Sequence, residues 1–160
     1  MSRKKILPLE RAYQLVNELK RDGKRVVFTN GCFDLLHLGH AKCLEAARKH
    51  GDVLVVAVNS DRSVRELKGP GRPIFPAEER AEILAPLAAV DYVTIFDNPS
   101  VLPVVSRMLP SVLVKGGNYT REQIVGYAEV EAAGGKVVSI PVVEGFSTTL
   151  LVDAAQKTRE

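Results

Sequence analysis

Apolar and polar positions along this chain fall into blocks that switch between a helical period and a strand-like one. Leu9, Ala12, Leu15, Val16 and Leu19 recur near helical spacing and Gly23 follows them, which predicts a helix over residues 9–22. Val26-Val27-Phe28 is a short run of large apolar side chains, the pattern of a buried strand. Residues 40–50 return to helical spacing and would bury Cys43, Leu44 and Ala47. The block Asp52-Val53-Leu54-Val55-Val56-Ala57-Val58 is apolar nearly throughout, as expected for a strand covered on both faces of a parallel sheet. Ser60 to Leu67 reads as a short polar helix. Lys68-Gly69-Pro70-Gly71-Arg72-Pro73 then breaks all periodicity and predicts a flexible basic loop.

The second half repeats the alternation. Helices are predicted over 77–87 and 101–109, and strands over 92–96 and 112–115, the latter ending in Gly116-Gly117. Thr120-x-x-Gln123 matches a capping box and opens a predicted helix running to about Ala133, where Gly134-Gly135 stops it. Val137 to Ile140 forms the last predicted strand, and Ser147 starts a final helix. About five strand–helix alternations without a linker or repeat argue for one Rossmann-like, doubly wound α/β domain. Its parallel sheet is expected to have five strands, with helices on both faces. Residues 1–24 would form an N-terminal helical segment and residues 25–155 the core. In such sheets ligands bind beyond the carboxyl ends of the strands, where strand order reverses.

Composition narrows the function classes. The chain has 160 residues, 46% of them hydrophobic and 26% charged, in the range of an ordinary soluble domain. A net charge of +3 with no long basic block argues against an extended nucleic-acid surface, while a small anionic ligand needs only a local positive site. Cys32 and Cys43 are too few for a disulfide framework, which points to free thiols in a reducing compartment. No apolar run approaches a membrane span, and Met1-Ser2-Arg3-Lys4-Lys5 is not followed by a signal-peptide core, so a cytoplasmic location is expected.

The candidate chemistry concentrates in Phe28-Thr29-Asn30-Gly31-Cys32-Phe33-Asp34-Leu35-Leu36-His37-Leu38-Gly39-His40. Two of the three histidines in the chain sit here, three residues apart, where a strand pattern gives way to a helical one. Imidazole N–H groups and the free backbone N–H groups of a helix start then converge on one point suited to a phosphate. Gly31 and Gly39 would let a ligand approach the backbone closely. Asp34 is open to two roles, a turn acceptor or a contact to a histidine, metal or sugar hydroxyl. Ser147-Thr148-Thr149, at a second helix start, offers three hydroxyls and another set of free N–H groups for an anion.

These segments resemble a known family. Asn30 to His40 looks like the HxGH signature of the nucleotidylyltransferase superfamily, in its cytidylyltransferase-like branch. Glu144-Gly145-Phe146-Ser147-Thr148-Thr149 resembles that branch's EG-x-STT segment, and Val114-Lys115-Gly116-Gly117-Asn118-Tyr119 is a third match. The likeness covers roughly Arg25 to Ala155 and is greatest to the heptose-1-phosphate adenylyltransferases, in their separate rather than kinase-fused form. It implies adenylyl transfer from ATP to a heptose 1-phosphate, giving ADP-heptose for lipopolysaccharide core synthesis. His37 and His40 would stabilise the α-phosphoryl oxygens, and Lys68 of the basic loop the leaving pyrophosphate. The run Phe28 to Phe33, Gly39, Arg80, Gly116, Gly117 and Ser147 to Thr149 would bind the nucleotide. Asp34, Lys115 and Asn118 would meet the sugar phosphate, with Arg65 and Arg72 as further cations in reach.

Such a reaction needs no protein nucleophile, because a phosphate monoester is largely ionised at neutral pH. Magnesium is implied by the triphosphate, held mostly by nucleotide and water since no acidic cluster forms a cage. The resemblance also implies a homodimer. Cytidylyl transfer to glycerol 3-phosphate is the alternative within the class. It is weakened by Val142 and Leu150, which stand where related glycerol-phosphate enzymes carry basic residues. A non-catalytic nucleotide-binding regulatory module is the alternative outside it, opposed by the intact histidines and threonines. A Rossmann dehydrogenase is excluded because no G-x-G-x-x-G follows the first strand.

Overall fold

The apolar run of residues 53–58 accounts for the architecture, because its side chains alternate between two hydrophobic clusters, one on each face of the sheet. The computed structural model describes residues 2–158. A short 3₁₀ turn (Ser2–Lys5) leads into β1 (Ile6–Leu7) and α1 (Leu9–Arg21). Then follow β2 (Val26–Gly31), α2 (Leu38–Arg48), β3 (Val53–Asn59), α3 (Asp61–Lys68) and α4 (Ala77–Leu84). The second half comprises β4 (Tyr92–Phe96), α5 (Leu102–Met108), β5 (Val112–Gly116), α6 (Tyr127–Ala132), β6 (Lys136–Ile140) and α7 (Thr148–Lys157).

All pairings are parallel, in the order β1-β4-β3-β2-β5-β6. On one face Val26, Phe28, Val55, Ala57 and Leu113 pack against α1 and α5 through Ala12, Tyr13, Val16, Val104, Val105 and Met108. On the other, Val27, Leu54, Val56, Val58 and Val114 pack against Leu44 and Ala47 of α2 and Ala81 and Leu84 of α4. Truncating a fully buried member such as Leu54 to alanine costs about 2–5 kcal/mol.

Two expectations need correction. The sheet has six strands rather than five, because Ile6-Leu7 pairs with Val93-Thr94 at the edge. A two-residue strand leaves no periodic trace. The capping box at Thr120 forms, with Gln123 Oε1 accepting the Thr120 N–H at 2.9 Å, but it opens only a 3₁₀ turn (Arg121–Gln123). Gly126 at φ 94° breaks the helix, and α6 starts after it. A Cβ at Gly126 would lie 2.5 Å from the Val105 side chain, so this break lets α5 pack closely.

Candidate active site

From β2 the chain runs outward through β3 to β4, then crosses back through α5 to β5 on the other side of β2. The reversal leaves a crevice beyond the carboxyl ends of β2 and β5, where such sheets bind ligands. A cleft of about 610 Å³ opens there, ample for a small-molecule ligand. His37, His40, Lys68, Arg72, Lys115 and Gly116 line it, together with Ser147, Thr148 and Thr149. The histidine turn and the hydroxyl-rich start of α7 therefore share one cavity.

The start of α2 is a capping box built from histidines. His37 is the N-cap, and its Nδ1 accepts the His40 backbone N–H at 3.4 Å. His40 Nδ1 in turn accepts the His37 backbone N–H at 3.2 Å. A ring nitrogen that accepts a hydrogen bond carries no proton, so each neutral imidazole keeps its proton on Nε2. The rings stack with centroids 3.8 Å apart. Burial lowers the His37 pKa. Burial, then the neighbouring His37, push that of His40 down to about 4, with Asp34 offsetting part of the fall. At neutral pH the pair is thus two uncharged Nε2–H donors.

The glycines serve these rings. A Cβ at Gly39 would lie 2.9 Å from His37 Cε1 and 3.3 Å from Phe146 Cβ. At Gly31 it would lie 3.2 Å from the Phe33 ring, whose centroid is 5.4 Å from that of His40. Both glycines thus make room for neighbouring aromatic side chains, a need separate from the close ligand approach expected of them.

Asp34 sits between two residues in the left-handed region, Phe33 at φ 49° and Leu35 at φ 50°. Non-glycine residues there cost of order 1–3 kcal/mol each, a strain that the surroundings must hold. The Asp34 carboxylate is buried and accepts the Ile74 N–H at 2.7 Å, the Phe75 N–H at 3.0 Å and Arg72 Nε–H at 3.1 Å. Burial alone would raise its pKa, but the two backbone donors and then Arg72 outweigh it and hold the carboxyl below its usual value. Its carbonyl oxygen accepts the Thr148 hydroxyl at 2.6 Å, a contact between residues 114 positions apart. The substrate contact expected of Asp34 is corrected: its carboxylate holds the basic loop instead.

The cations divide into engaged and available ones. Arg80 was expected on the nucleotide, but its side chain is fully buried. It donates to the carbonyls of Phe75, Cys32 and Asn59 and to Asp61 at 2.7–2.9 Å, so every guanidinium nitrogen is engaged by the protein and the side chain lies outside the cleft lining. Lys115 is partly buried at the cleft and donates to the carbonyl and side-chain oxygens of Asn30 at 3.3 and 3.4 Å, tying the end of β5 to that of β2. Burial depresses its pKa, Cys32 and Cys43 pull the other way, and Lys68 adds to the fall. Lys68 is exposed at the cleft rim, and no carboxylate pairs with either lysine among the described residues. Arg65 lies outside the cleft lining.

Three further expectations are corrected. Phe28 is fully buried in the core cluster and does not line the cleft. Gly117 does not line the cleft; its N–H donates to Ile140 and its carbonyl accepts the Ser139 hydroxyl. Asn118 is exposed beyond that turn and also outside the cleft. Thr29, Asn30, Cys32, Phe33 and Gly116 do line it. Ser147 caps α7 by accepting the Leu150 N–H at 3.1 Å. Phe146, whose ring centroid is 6.3 Å from that of His37, was not anticipated, although it stands inside the EG-x-STT segment. The Pro99-Ser100-Val101 rim was also missed; its signal was its place just beyond the carboxyl end of β4.

Among the described residues no group of three or more His, Cys, Asp or Glu is placed to hold a metal ion, and no helix is long and apolar enough to cross a membrane. The cytidylyltransferase-like family model matches residues 28–153. The chain is 53% identical over 149 residues to the bifunctional protein HldE of Koribacter versatilis (strain Ellin345), covering 93% of this chain and 31% of that protein. It is 57% identical over 140 residues to the protein of the same name in Rhodopseudomonas palustris (strain HaA2), covering 88% and 29%. The chain thus spans about three-tenths of the length of these relatives. Among solved structures it resembles a lipopolysaccharide core biosynthesis protein from Thermoplasma volcanium GSS1, with TM-score 0.61, 27% identity, and 76% and 98% of the two chains covered. A pantoate-beta-alanine ligase from Francisella tularensis, complexed with beta-gamma ATP and beta-alanine, shares the fold at TM-score 0.63 and 15% identity, covering 97% and 78%.

Proposed function

The chain belongs to the cytidylyltransferase-like family, and on that basis we propose that it transfers an adenylyl group from ATP to a heptose 1-phosphate. An oxygen of the sugar phosphate attacks the α-phosphorus, the bond from that phosphorus to the β-phosphate bridging oxygen breaks, and pyrophosphate leaves. The products are ADP-heptose and pyrophosphate, the former serving lipopolysaccharide core or a related glycan. The observation that carries this reading is the shared cleft of the paired histidines and the Ser-Thr-Thr tip of α7. The name of the Thermoplasma volcanium relative, a lipopolysaccharide core biosynthesis protein, supports the sugar branch.

In this reading the residues align the reactants and stabilise spreading charge, as phosphoryl transfer requires. His37 and His40 donate their Nε2 protons as hydrogen bonds to α-phosphoryl oxygens without giving them up. Ser147, Thr149 and the free N–H groups of α7 hold the phosphate chain. Lys68 meets the leaving pyrophosphate, and Gly116 and Lys115 flank the nucleoside or sugar. Magnesium would enter with ATP and offset the charge of its phosphates; among the described residues no group of three or more His, Cys, Asp or Glu would hold it. A cytoplasmic homodimer completes the proposal. Leu150 and Leu151 of α7, exposed at 54% and 42%, offer apolar surface for a second copy, which light scattering after size exclusion would detect.

The test follows pyrophosphate release with each nucleoside triphosphate and sugar phosphate. ATP with heptose 1-phosphate should be the best pair. A clear preference for CTP with glycerol 3-phosphate would overturn the substrate assignment, and nucleotide binding without any turnover would mark a regulatory module.

A further inference from the structure

We propose that Arg72 is a phosphate-binding residue of the cleft and that Asp34 is the positioning residue that presents its guanidinium. This rests on the nucleotidyl-transfer reading and adds to it a ligand contact and its support. Arg72 lines the cleft with a side chain only 13% exposed, and its Nε–H is bound by Asp34 Oδ2. Neither Nη group has a protein acceptor among the described residues. Arg80, eight positions on, shows the other arrangement, with every guanidinium nitrogen on a protein oxygen. What Arg72 leaves open is a planar pair of terminal amino groups at the wall of an anion-suited cleft. That fork fits two oxygens of one phosphoryl group, a match that a lysine cannot reproduce.

Asp34 sets where the fork stands. Its carboxylate, with no exposed surface, binds the guanidinium Nε–H and also the backbone N–H groups of Ile74 and Phe75, so one group ties the side chain to its own loop. The same residue lies in the histidine turn, three positions before His37, and its carbonyl accepts the Thr148 hydroxyl. One residue therefore spaces the fork, the imidazoles and the α7 tip against each other. The phosphoryl group comes from one of two sources, the leaving end of ATP or the sugar phosphate.

Calorimetric binding of ATP and AMP, with the KM for heptose 1-phosphate, tests this on Arg72→Gln, Arg72→Lys and Asp34→Asn, each with a melting curve. Arg72→Gln should weaken one ligand by roughly 10- to 100-fold, the scale of a lost charge-assisted pair of hydrogen bonds. A loss for ATP with AMP binding within about threefold identifies the leaving phosphates. Unchanged ATP binding with a raised sugar-phosphate KM identifies the acceptor. Arg72→Lys should recover little of the loss, and Asp34→Asn should weaken the same ligand by a smaller factor. If Arg72→Gln does not fold, having stranded the Asp34 carboxylate, the Arg72→Gln/Asp34→Asn double variant carries the same measurement. Folded variants that keep both ligands within about threefold of wild type would overturn the assignment. A wild-type protein that neither binds ATP nor turns over would instead defeat the nucleotidyl-transfer reading beneath it.

Discussion

The two walls of the cleft are held in opposite ways. The histidine turn, residues 30–40, is pinned at both ends: two rings cap each other's backbone, and the buried Asp34 carboxylate accepts three hydrogen bonds from the loop at residues 72–75. The facing wall, at the start of α7, belongs to a helix with no buried residue along its length. It meets the turn through the Thr148 hydroxyl and the Phe146 ring. Preorganised donors are worth most where charge develops in the transition state, because they need not reorganise at that moment. The histidine wall is thus suited to the reacting phosphorus. Elements with few buried apolar contacts open at the lowest free energy, so the α7 wall is suited to admit and release the nucleotide.

The contrast can be broken from either side. His40→Ala should lower kcat by about 10²–10³-fold, the effect of deleting one well-aimed oxyanion donor. It should also lower the melting temperature, since a capping acceptor worth about 1 kcal/mol goes with it. Gly39→Ala keeps both imidazoles but pushes a methyl group into the His37 ring. It should lower kcat by roughly 10- to 100-fold through misplacement of one donor, while ATP binding measured by calorimetry stays close to wild type. Thr148→Val removes the hydrogen bond between the walls, about 1 kcal/mol, and should raise the KM for ATP about fivefold with kcat nearly unchanged. If Thr148→Val lowered kcat as far as His40→Ala does, the division of labour would be wrong.

The histidine wall also makes stability depend on pH. His40 is held at about 4 in the folded chain, against about 6.5 for a free imidazole. Between those values the unfolded chain binds more protons, so stability present above about pH 6.5 is lost as pH falls toward 4. Urea midpoints at pH 7 and pH 5 should differ in that direction, and by less in His40→Asn.

The alternation of periods was enough to reveal the layered α/β fold, because strands covered on both faces are apolar throughout and their helices are not. The site was legible where local chemistry decides it: histidines at the first and fourth positions of a helix start, and a serine at another. It was illegible where tertiary geometry decides. Nothing in Glu78-Glu79-Arg80 announces that three carbonyls from distant segments converge on that guanidinium, whereas Arg72 in a featureless loop keeps its fork free. Phe28 adjoins the motif, but strand alternation turns it into the core. Gly117 and Asn118 continue a strand that ends at the cleft, and the turn after Gly116 carries them out of it.

The histidine ¹⁵N spectrum at pH 7, recorded free and with saturating ATP, reads the state and the use of both rings. His37 and His40 should each show a protonated Nε2 and a bare Nδ1, and both Nε2–H signals should move on adding ATP while that of exposed His50 stays put. Charged imidazolium rings, protons on Nδ1, or Nε2–H signals indifferent to ATP would contradict the account.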